Sequence, residues 1–188
     1  MPVTADPDQP LVERSRRGDL QAFEELVHRH RSVVLRIAAR VVGEHEADDV
    51  AQDAFLRAFH RLDRFRGDAP FRSWLLAIAS NTAVSAARRR EAQHESAEDQ
   101  TPDVVMHRTP ADELETQERI RRLDIKLKGL SPEHRTVLVL RDVEGLSYDE
   151  IAVVTGMPLG SVKARLHRAR NDLIELLRTN TYDWELPA

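Results

Sequence analysis

The chain has 188 residues, 41% hydrophobic but only 5% aromatic, and a formal net charge of −4. That is room for one domain or two small helical cores, and the absence of cysteine excludes disulfides and thiolate metal sites, in keeping with a reducing compartment. No apolar run reaches membrane-spanning length, and the start MPVTADPDQP lacks the charged-then-apolar layout of a signal peptide, so a soluble, cytoplasmic protein is expected.

Helical periodicity dominates and no stretch alternates like a strand, so the expected fold is all-α, with two small helical domains joined by a flexible acidic linker. Residues 1–10 are expected to be a disordered terminus. Asp19 is placed to cap a helix starting at Leu20, with Phe23, Leu26, Val27, Val34, Ile37 and Val41 on its apolar face and Gly43 as its stop. After EHEADD, a second run buries Val50, Ala54, Phe55, Ala58, Phe59 and Leu62, and DRFRGDAP breaks it with Gly67 and Pro70. A third helix takes Phe71, Trp74, Leu75, Ile78 and Ala79 inward and ends in Arg88, Arg89 and Arg90, closing a first domain over 11–90.

Residues 91–116 read as the linker. Apolar residues are sparse there, Pro102 and Pro110 interrupt it, and eight acids (Glu91, Glu95, Glu98, Asp99, Asp103, Asp112, Glu113, Glu115) face the single Arg108. The acidity of the chain is therefore concentrated in the connector, and the remainder is mildly basic. A second domain, 117–178, opens with the amphipathic ERIRRLDIKLKGL, and Ser131 with Pro132 makes a cap-plus-first-position start for a helix that Gly145 stops. A tail, 179–188, follows.

Within the second domain, Ser147 and Glu150 have the spacing of a capping box. Ile151, Ala152 and Val154 form a stripe, Gly156 sits where the chain must turn, and Pro158 is expected in the first turn of the next helix. That helix is expected to bury Val162, Leu166 and Leu173 and to expose Lys163, Arg165, His167, Arg168 and Arg170. Two helices about a glycine turn, the second basic, is the helix-turn-helix arrangement. A plain helical hairpin with a solvated basic face is the competing reading, and spacing alone does not divide base-reading from phosphate-anchoring arginines. The slight basic excess is too small for tight, salt-resistant DNA binding, so a second partner is implied.

EADDVAQDAFLRAFHRLDRFRGDAPFRSWLLAIASNTAVSAARRR resembles region two of a bacterial sigma factor of the extracytoplasmic-function (ECF) group, in the sigma-70 family, and Leu130 to Leu177 resembles region four. The resemblance spans roughly Leu11 to Leu177. It implies a promoter-specificity subunit that binds core RNA polymerase and opens promoter DNA, without catalytic site, cofactor, metal or obligatory homo-oligomer. Asp48, Asp49, Gln52, Asp53, Leu56, Arg57 and Arg61 map onto the helix that docks on the clamp helices of the largest polymerase subunit, while the flap takes region four. Arg64, Phe65, Arg66, Phe71, Arg72, Trp74, Asn81, Arg88, Arg89 and Arg90 map onto the part that captures and melts the minus-ten element. Core packing is the competing reading for Phe71 and Trp74, and for Trp74 it is at least an equal one. Ser161, Lys163, Ala164, Arg165, His167, Arg168 and Arg170 map onto the minus-thirty-five recognition helix.

The family often carries an acid where this chain has Ser85, which leaves the minus-ten preference open. The resemblance further implies an anti-sigma partner, able to hold the protein at the inner membrane face, and a linker threading the polymerase, either as an acidic mimic of nucleic acid or as a spacer. The alternative is a dimeric helix-turn-helix repressor or activator, for which no dimerisation helix is evident.

Overall fold

The computed structural model describes residues 6–94 and 126–179, and all regular structure among them is helical. Four helices make the first domain: α1 (Gln9–Arg16), α2 (Leu20–Val42), α3 (Glu44–Arg61) and α4 (Phe71–His94), with a 3₁₀ turn at Leu62–Arg64. The second domain holds α5 (Pro132–Leu138), α6 (Tyr148–Thr155) and α7 (Leu159–Thr179).

Local chemistry sets most helix ends. The Asp19 carboxylate accepts from the Ala22 N–H at 3.1 Å, one of the orphan donors at the start of α2. Gly43, at φ 101°, ends that helix in backbone geometry that a Cβ disfavours. Ser131 caps α5 through the His134 N–H at 3.3 Å, with Pro132 in the first turn. Past Leu138 the coil widens into a π-turn over Val139–Val143, where the Glu144 N–H reaches back five residues to the Val139 carbonyl at 2.9 Å.

α4 organises the molecule. It packs on α2 and α3 on one side and on α5 and α6 on the other. Its buried residues accordingly run around the helix: Phe71, Ser73, Leu75, Leu76, Ile78, Ala79, Ser80, Thr82, Ala83, Ala86 and Ala87. Leu75 and Leu76 are fully buried, and each side chain removed from water stabilises the fold by about 1.5–3 kcal/mol.

Polar ties also join the domains. The Arg135 guanidinium, on α5, is buried and donates to the carbonyls of Leu127 (2.7 Å), Lys128 (2.8 Å) and Leu130 (2.8 Å), and to the Val41 carbonyl at the end of α2. Burial pulls its pKa below the ordinary arginine value. Arg36 of α2 grips Glu144 with two bonds of 2.8 Å.

Several expectations need correcting. Residues 6–10 of the expected disordered terminus are held in place: Asp8 is buried and precedes α1, a helix the sequence reading missed. EHEADD forms the first turns of α3, so that helix starts earlier than the run beginning at Val50. Phe59, expected inside, is 39% exposed, because its ring lies edge-on to Phe23 at the rim of the core. α4 crosses the expected domain boundary and runs to His94. The remainder of the acidic linker, most of ERIRRLDIKLKGL and the tail from residue 180 lie outside the described residues.

Candidate nucleic-acid interface

A cleft of about 150 Å³ opens between α3 and α4, lined by Arg57 and Arg61 from α3 and by Trp74, Ala77, Ile78, Asn81, Thr82 and Ser85 from α4. One-turn spacing explains the lining: positions 57 and 61, and 74, 78, 81, 82 and 85, each fall on one helix face. The hydroxyls of Thr82 and Ser85 donate back to the carbonyls of Ile78 (2.8 Å) and Asn81 (2.7 Å). The exposed Asn81 amide is left to offer a donor and an acceptor to the cleft. Arg57 is steadied by Asp53 at 2.8 Å, and this hydrogen bond raises its pKa further. The cleft thus combines an aromatic wall, a neutral hydrogen-bonding amide and two cations.

The structure divides the minus-ten candidates. Phe65 and Phe71 are core residues, 4% and 1% exposed, packed 5.8 Å apart and against Trp74 at 5.3 and 5.7 Å. For Phe71 this is the core alternative, and for Phe65 the expectation of aromatic surface facing a base is corrected: neither has a free face, and both buttress the half-buried Trp74. Arg88 pairs with Glu133 of α5 at 2.5 Å, and Arg90 binds the Val42 carbonyl and Glu46, both at 3.1 Å. Both arginines therefore have internal partners. Arg64, Arg66 and Arg89 are exposed. Arg72 is half-buried near Glu150, whose pKa is lowered first by hydrogen bonds from Ser147 and then by this charge.

The face expected to dock on polymerase splits as well. Asp48, Asp49, Gln52 and Leu56 are exposed on α3, Leu56 at 54%, and Asp53 is half-buried. Arg57 and Arg61, grouped with them by sequence, stand in the cleft with Trp74 and Asn81. Leu20, which opens α2 directly after its cap, is 62% exposed.

In the second domain the capping box forms with both bonds: the Glu150 N–H to Ser147 Oγ at 3.2 Å, and the Ser147 N–H to Glu150 Oε2 at 2.8 Å. Gly156 ends α6 in the left-handed region at φ 66°. Pro158 stands just before α7, not in its first turn, and its carbonyl accepts from the Ser161 and Val162 N–H groups. Val162, Leu166 and Ala169 are buried; Leu173 is only partly so, and Ala169 was not anticipated. Ser161, Lys163, Ala164, His167 and Arg168 are exposed and Arg165 is half-exposed. Arg170 is exposed but donates to Asp142 at 2.8 Å, which raises its pKa. Among the described residues no group of three or more His, Cys, Asp or Glu is placed to hold a metal.

These surfaces meet their relatives. Residues 26–93 match Sigma-70 region 2, and residues 120–173 match Sigma-70, region 4. The RNA polymerase sigma-H factor of Pseudomonas aeruginosa is 38% identical over 94% of this chain and 96% of its own length. The chain belongs to the ECF group of the sigma-70 family. The ECF RNA polymerase sigma-E factor of Escherichia coli K12 is 36% identical, over 87% of this chain and 90% of its own. Among solved structures, CnrH in complex with the cytosolic domain of CnrY superposes with TM-score 0.67 at 33% identity, covering 93% of this chain and 99% of that one. The sigma factor RpoE with the anti-sigma factor NepR from Bartonella quintana gives 0.64 at 26% identity, over 84% and 98%. This sigma factor is thus a non-enzymatic promoter-specificity subunit of RNA polymerase, not a free-standing repressor. Its cleft lies wholly within region 2, and its helix-turn-helix within region 4. No helix of the described residues is long and apolar enough to cross a membrane.

Proposed function

We propose that this sigma factor takes one unstacked base of the minus-ten element into the cleft between α3 and α4. The observation carrying the reading is the Asn81 amide standing beside Trp74, Arg57 and Arg61 in a space of about 150 Å³. That is well below the ~300–1,000 Å³ of a drug-sized pocket and suits a single planar ring. Extruding a base costs a few kcal/mol, which stacking and edge hydrogen bonds offset. Arg64, Arg66, Arg72 and Arg89 anchor adjacent phosphates. The α7 surface of Ser161, Lys163, Ala164, Arg165, His167 and Arg168 reads the minus-thirty-five element in the major groove.

The exposed α3 face of Asp48, Asp49, Gln52 and Leu56 docks on the clamp helices of the largest polymerase subunit, and region 4 meets the flap. Polar groups around an apolar centre are the usual make-up of such an interface. An anti-sigma factor covers these faces when the protein is idle and would hold it at the inner membrane face; the likeness to CnrH with CnrY and to RpoE with NepR supports this.

The test is base preference. With core polymerase and a single-stranded minus-ten library, Asn81→Ala should flatten the preference at one position, since a bidentate edge contact contributes about 1–3 kcal/mol of discrimination. An unchanged preference profile would overturn the reading.

A further inference from the structure

The amino-terminal arm reaches the cleft through α4. The first backbone bond inside that helix runs from the Trp74 N–H to the Pro70 carbonyl at 3.2 Å. Pro70 therefore occupies the capping position, yet proline has no side-chain acceptor to offer the orphan N–H groups of the first turn. The missing acceptor arrives from 65 residues away: Asp6 Oδ2 accepts from the Phe71 N–H at 2.6 Å. Its negative charge also lies at the positive end of a 24-residue helix.

The arm is pinned at its other end. Asp6 Oδ1 accepts from the Asp8 N–H at 3.1 Å. The Asp8 side chain, 5% exposed, accepts from Arg29 at 3.0 Å and pairs with His30 Nε2 at 2.7 Å. The His30 ring in turn lies 5.7 Å from the Phe71 ring. Phe71 is thus held at its backbone by the arm and at its ring by α2, Phe65 and Trp74.

We propose that residues 6–8 are a positioning strap for minus-ten capture, in which Asp6 caps α4 from a distance and fixes the first turn that carries Trp74 into the cleft. Asp6 touches no DNA; it acts through Phe71 and Trp74. The strap rests on the cleft reading above, so its test includes a variant of the cleft itself.

The full-length protein is bound to core polymerase and titrated with a labelled single-stranded oligonucleotide carrying the minus-ten sequence that the unaltered protein selects. Asp6→Ala should weaken oligonucleotide binding about five-fold, the loss of a typical helix cap. It should speed hydrogen exchange at the Phe71 amide and leave affinity for core polymerase unchanged. Asp6→Asn, which keeps an acceptor oxygen, should restore both oligonucleotide binding and exchange protection. A cap of purely structural effect would lower thermal stability without moving oligonucleotide affinity, and that outcome overturns the proposal. So does an unaltered Phe71 exchange rate, or an Asn variant as weak as the Ala one. Asn81→Ala separates the two readings. If it binds like the unaltered protein, the cleft reading fails; if it binds weakly while Asp6→Ala does not, the strap alone fails.

Discussion

Arg135→Met is the substitution whose cost follows most directly from the structure. Methionine keeps the length of the stem and fills similar space, but removes all the donors. Four carbonyls, those of Val41, Leu127, Lys128 and Leu130, then lose a charged partner in a buried setting. A buried acceptor left unpaired costs about 1–3 kcal/mol. The Leu127 carbonyl keeps the Leu130 N–H at 3.0 Å; for the other three the lower figure applies, because carbonyls at helix ends can regain water, giving about 3 kcal/mol in total. That is a large part of the ~5–15 kcal/mol that holds a typical domain folded. Urea unfolding of the full-length chain, followed by circular dichroism, gives the midpoint and slope from which the loss is read. Arg31→Ala is the control, since its ion pair with Asp48 is exposed on both sides and such a pair contributes at most about 1 kcal/mol. A loss below about 1 kcal/mol for Arg135→Met would show that the carbonyls are satisfied some other way and would refute the reasoning.

Two further predictions concern charge. The folded-state pKa of Glu150 is lowered by its bonds to Ser147, so the stability it contributes is present above the ordinary glutamate pKa and is lost as pH falls through the depressed folded value. Urea midpoints measured from neutral to acid pH should therefore show a smaller acid-side loss for Glu150→Gln than for the unaltered chain; identical profiles would contradict this. In the polymerase-bound form, Lys163→Ala and Arg168→Ala should each flatten the log–log dependence of minus-thirty-five binding on salt by about 0.9, the effect of one phosphate contact. A shift in base preference with no change of slope would instead make that residue a base reader.

Local rules carried the sequence reading a long way. Asp19, Ser131, Ser147 and Gly156 each declared a helix end through chemistry spanning a few residues, and the structure places all four where that chemistry requires. The family and the all-α fold were legible from motifs. The cleft was not, because Arg57 and Arg61 lie on one helix and Trp74 and Asn81 on the next, and spacing along the chain carries no information about which faces meet. Arg135 was hidden for a related reason: a basic residue in an amphipathic helix reads as solvated, and its acceptors come from distant backbone. One signal was there to be used. No charged residue occurs between Arg72 and Arg88, and a helix without a charged stripe is one covered on several sides. Asp6 and Asp8 sit in a proline-rich start that looks like a loose end, and only the tertiary bonds show otherwise.

Ahead of the π-turn at Val139–Val143, residue count, more than residue identity, is the setting for region 4. Successive residues of an α-helix advance by about 100°, so deleting one residue from the regular coil of α5, with the wide turn kept, would rotate everything downstream by roughly that angle. Glu144 would swing off Arg36, and the DNA-reading hairpin would leave on a new heading. Substitutions here change packing by degrees, whereas a one-residue deletion would re-aim the whole module.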